Sequence, residues 1–79
     1  MKKNTLELFR DSVDVSTRAK RRKAMALVIE LLEIIRHAEE RFLERVPLNL
    51  QSGSAYSDAE YSVDIIIDAI DDLVNAYEP

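Results

Sequence analysis

The chain has no cysteine, one histidine, one glycine and two prolines in 79 residues. Without cysteine there is no disulfide framework. With His37 as the only histidine, a zinc site of the usual Cys/His kind is excluded as well. No base is placed to activate any Ser, Thr or Tyr, so nucleophilic catalysis has no visible apparatus. Charged residues interrupt every apolar run well short of the ~18 residues that a membrane span needs. No apolar stretch follows the basic start Met1-Lys2-Lys3, so no signal peptide is predicted. The expectation is a cytoplasmic chain with no membrane segment and no cofactor; the lack of cysteine fits a reducing compartment.

What is present is 47% hydrophobic and 33% charged residues. With so little Gly and Pro, that composition predicts an all-α bundle. A chain of this size buries only roughly 60% of its unfolded surface, so a lone core is marginal. Disulfides and zinc being excluded, association with another chain is the remaining stabilising device, and a homodimer is expected.

The net charge of −4 hides an asymmetry. Residues 1–23 hold eight Lys/Arg against three Asp/Glu, a balance of +5; residues 24–79 hold three Arg against twelve Asp/Glu, a balance of −9.

The longest periodic stretch is Thr17 to Val46, free of Gly and Pro. Ala24, Val28, Leu31, Ile35, Ala38 and Phe42 recur at steps of four and three, which places them on one stripe of a helix. Leu27, Ile34 and Val46 widen the stripe, while Met25, Ile29, Leu32 and Leu43 lie to one side. So wide an apolar surface calls for more than one neighbour. Before it, Leu6, Phe9 and Val13 outline a short helix over 4–14. The poor helix formers of Asp11 to Thr17 predict a break near Val15, with a new cap at Asp14 or Ser16. The alternative is one unbroken helix from Thr5 to Val46.

The long helix is predicted over 16–46 and stops at Pro47, which disfavours helical geometry in the residue before it. A loop over 47–54 follows, with Leu48 and Leu50 expected to plug the end of the bundle. The last helix is predicted over 55–77, capped at Ser54 or by a Ser57–Glu60 capping box. Its seam is regular: Tyr56, Ala59, Val63, Ile66, Ile70, Leu73, Tyr77. The two long helices should return antiparallel, with Val46 near Tyr56 and Tyr77 near Met25. The fold expected is a short helix followed by a helical hairpin, dimerising into a four-helix bundle.

Three charged features bear on function. Arg18, Lys20, Arg21, Arg22 and Lys23 wrap around the start of the long helix, where the helix dipole mildly disfavours cations. They could contact nucleic-acid phosphates or an acidic partner. The plainer reading is charge matching with Asp71, Asp72, Glu78 and the C-terminal carboxylate. Glu33 and His37 share a face four residues apart, but Glu33 lies beside Arg36, and a solvated outer face explains the pair better than a metal. The row Glu60, Asp64, Asp68, Asp71, with Glu39-Glu40 and Glu44 opposite, resembles the acidic clusters of all-α nucleotide pyrophosphohydrolases. It misses their EExxE and ExxD spacing by one residue at both places, and one residue turns a ligand by about 100° on a helix. No enzymatic activity is therefore expected.

The segment Val46-Pro47-Leu48-Asn49-Leu50-Gln51-Ser52, followed by Tyr56, Ala59-Glu60 and an Ile/Asp-rich seam, resembles small uncharacterised helical-hairpin proteins of phages and integrated mobile elements. The likeness covers residues 24–79. Leu48, where an acidic residue is commoner, and the placing of Gly53-Ser54 depart from the pattern. The resemblance implies a hairpin fold and a mobile-element origin, with no activity attached.

The functional expectation is a protein–protein interaction module. Its candidate interface residues are Val28, Leu31, Ile35, Phe42, Tyr61, Ile66, Ile70, Leu73 and Tyr77. The alternatives are a nucleic-acid-binding regulator using Arg18 to Lys23, and an inhibitor of a host protein presenting the acidic Asp64–Asp68–Asp71–Asp72 face.

Overall fold

A computed structural model describes residues 13–77. Within them lie two long α-helices, α1 (Arg18–Arg45) and α2 (Ser54–Asn75), joined by a connection that contains one 3-10 turn, Leu48–Leu50. The helices pack on each other as an antiparallel hairpin, and no strand occurs among the described residues. No helix among these residues is long and apolar enough to cross a membrane.

The chain is not helical from Val13 to Thr17, which rules out an unbroken helix through this region. Helix α1 starts one or more residues later than the sequence suggested. Its cap is Thr17, whose backbone is extended and whose Oγ1 accepts from the Lys20 amide at 3.1 Å. Asp14 and Ser16 form a turn of their own instead: Asp14 Oδ1 accepts from the Ser16 amide at 2.9 Å and from its hydroxyl at 2.7 Å. The short helix expected over 4–14 falls outside the described residues, apart from Val13 and Asp14.

Pro47 ends α1 as its chemistry requires, with Val46 held in the extended region. Gln51 reaches back across the turn and donates from Nε2 to the Val46 carbonyl at 3.3 Å. Leu48 and Leu50 do not plug the bundle. The tight 3-10 turn directs Leu48 to solvent, 84% exposed, and leaves Leu50 on the rim of an open groove with Phe42, Val46, Pro47 and Tyr56. Helix α2 starts at Ser54, with Gly53 as its cap residue and no side-chain cap; the Ser57 amide bonds to the Gly53 carbonyl. Ser57 and Glu60 therefore lie inside the helix, and the expected capping box does not form.

The seam read on the last helix is the one that packs. Ala59, Val63 and Ile70 are buried, while Tyr56, Ile66, Leu73 and Tyr77 are half-buried. The register is as expected at both ends. Val46 and Tyr56 line one groove near the turn, and Met25 and Tyr77 another at the far end.

Helix α1 presents a different seam from the stripe the sequence made prominent. The half-buried row is Met25, Ile29, Leu32, Arg36, Glu39, Leu43 and Val46. This is also a four-three pattern, set one residue later and so rotated by about 100°. The turn imposes this choice. Val46 is seated against Tyr56, and heptad steps back from Val46 lead through Leu43, Glu39 and Arg36. No large side chain among the described residues is fully buried, and the three buried residues all belong to α2.

Candidate functional site

Rotation of α1 leaves its most apolar stripe without a partner in the hairpin. Leu27, Leu31, Ile34, Ile35 and Phe42 are 43–63% exposed. At α1's first turns this stripe begins beside Val13, which lines a shallow depression with Asp14, Lys20, Lys23, Ala24 and Leu27. At the turn it ends at Phe42, which lines a second depression with Glu39, Ala55, Asp58, Ala59 and Ser62. That second lining puts the α1 stripe and one edge of α2 on the same side of the hairpin. Along this edge of α2 the residues at seven-residue steps are small: Ala55, Ser62, Ala69, Ala76. The result is a two-helix face with large apolar side chains on α1 and, on α2, these small residues beside Asp58 and the half-exposed Ile65.

The candidate interface residues divide accordingly. Ile70 is buried and Val28, Ile66, Leu73 and Tyr77 are half-buried, so these serve the hairpin seam or its edge. Leu31, Ile35 and Phe42 lie on the exposed face. Tyr61 is exposed on the side of α2 away from α1. Leu27, Ile34 and Leu50 belong with the exposed apolar set but were not among the candidates. The excess of apolar positions flanking the α1 stripe was the signal that could have included Leu27 and Ile34.

The basic run is engaged within the chain, though not as expected. The Arg18 guanidinium lies 4.9 Å from the centre of the Tyr77 ring, a cation–π contact. Arg22 donates to the Tyr77 carbonyl at 3.4 Å, Arg21 to the Val15 carbonyl at 3.0 Å, and Lys20 pairs with Asp14 at 2.6 Å. None of the five cations forms an ion pair with Asp71 or Asp72 among the described residues; Glu78 and the C-terminus lie outside them. The expected charge matching is thus absent at Asp71 and Asp72, and the described contacts of the run go to Tyr77 and to the Asp14 turn. The Lys20 ammonium, together with two hydrogen bonds from Ser16, lowers the Asp14 pKa to about 2.

Among the described residues, Arg36 is the half-buried cation in the seam between the helices. The sequence reading set it with Glu33 on the outer side; the structure turns it inward. Its Nη2 pairs with Glu33 Oε2 at 2.6 Å, and its Nε approaches Glu40 Oε1 at 3.8 Å without a hydrogen bond to any described residue. Glu33 is thereby committed to Arg36, while His37 is exposed at 3.4 Å from Arg36 Nη2. Among the described residues no three acidic or histidine side chains gather where a metal could be held. Asp64, Asp68, Asp71 and Asp72 are exposed along α2.

Comparison with protein-family models, with curated proteins and with solved structures finds no match to this chain.

Proposed function

We propose that the protein is a non-enzymatic protein–protein interaction module whose first partner is a second copy of itself. The observation that carries this reading is the exposure of the α1 stripe, Leu27, Leu31, Ile34, Ile35 and Phe42, beside a hairpin in which, among the described residues, only Ala59, Val63 and Ile70 are buried. Two helices with so thin a core are poorly stable alone, and exposed contiguous apolar surface marks an interaction site. A second hairpin laid on this face makes a four-helix bundle, which supplies the missing layer for both copies. On the strength of the Val46–Ser52 turn motif, we place the chain with phage and mobile-element hairpin proteins, acting in the cytoplasm.

The test is methyl NMR of the full chain with a soluble paramagnetic probe, over a range of protein concentrations. On this reading, the methyl groups of Leu27, Leu31, Ile34 and Ile35 gain protection as concentration rises. Exposure at every concentration would overturn the proposal. So would protection in a sample whose mass is that of the monomer, because then the chain covers the face itself.

A further inference from the structure

We draw no further inference here: the strongest candidate, the apolar groove at the turn between the helices, lined by Phe42, Val46, Leu50 and Tyr56 with Arg45 beside them, carries nothing because nothing in the structure shows what covers it.

Discussion

Replacing Leu31 and Ile35 together with Gln should dissociate the protein while sparing its hairpin. Both side chains are half exposed on α1, beside the row that packs on α2. Burying a whole Leu or Ile side chain is worth about 1.5–3 kcal/mol, so the exposed half of each still has about 0.8–1.5 kcal/mol to gain. Two residues in each of two copies bring the loss to about 3–6 kcal/mol. At 1.4 kcal/mol per factor of ten, the dissociation constant should rise by about 10²–10⁴. Within one chain the same changes remove little packing and introduce a good helix former, so helicity should be retained. Sedimentation velocity gives the dissociation constant, and circular dichroism at matched low concentration gives the helicity. An unchanged dissociation constant with intact helicity would refute the assignment of this face. A collapse of helicity in the monomeric range would show instead that Leu31 and Ile35 belong to the intrachain core.

Arg36→Met should stabilise the hairpin by about 1–2 kcal/mol, because a half-buried cation with an unsatisfied Nε gives way to an apolar side chain; urea melts check this, and a lower midpoint would mean that the Glu33 and Glu40 contacts outweigh the desolvation. Asp14 should titrate near 2, against its ordinary 3.8, in carboxyl NMR. Because its folded pKa is depressed, the stabilisation is fully present above 3.8 and is lost as pH falls through about 2. An ordinary Asp14 midpoint would show that its contacts to Lys20 and Ser16 do not persist in solution. For the basic run, Arg21, Arg22 and Lys23 changed together to Glu should leave duplex DNA retention weak and unaltered. Steeply salt-dependent binding by the wild-type chain, lost in this variant, would assign the run to phosphate contact instead.

Helix α2 was legible because its sequence offers one good seam. Every residue from Tyr56 to Tyr77 on that seam is at least half-buried, and the acidic residues fall on the rest of the surface. Helix α1 offers two seams one residue apart. Counting apolar residues favours Ala24–Val28–Leu31–Ile35–Phe42, because the competing row contains Arg36 and Glu39. Tertiary geometry decides otherwise: the short turn after Val46 sets the rotation of the helix and brings Arg36 and Glu39 into the interface. The loop was misread for a related reason. Leu48 is apolar, but a 3-10 turn of three residues leaves it no path back to the core. Caps were ambiguous because Asp14, Ser16 and Thr17 are all good cap formers, as are Ser54 and Ser57; backbone geometry chose Thr17 for one helix and Gly53 for the other. The candidate surface was half visible. Leu31, Ile35 and Phe42 could be named from periodicity, but that they face outward from the hairpin could not, since periodicity alone does not tell an intrachain seam from an intermolecular one.

The central claim is that the α1 stripe is covered by a second copy. Sedimentation equilibrium of the full chain at micromolar concentration tests it most directly. Self-association gives a mass of twice 9.1 kDa, falling toward 9.1 kDa on dilution. A mass of 9.1 kDa at every concentration reached would contradict it.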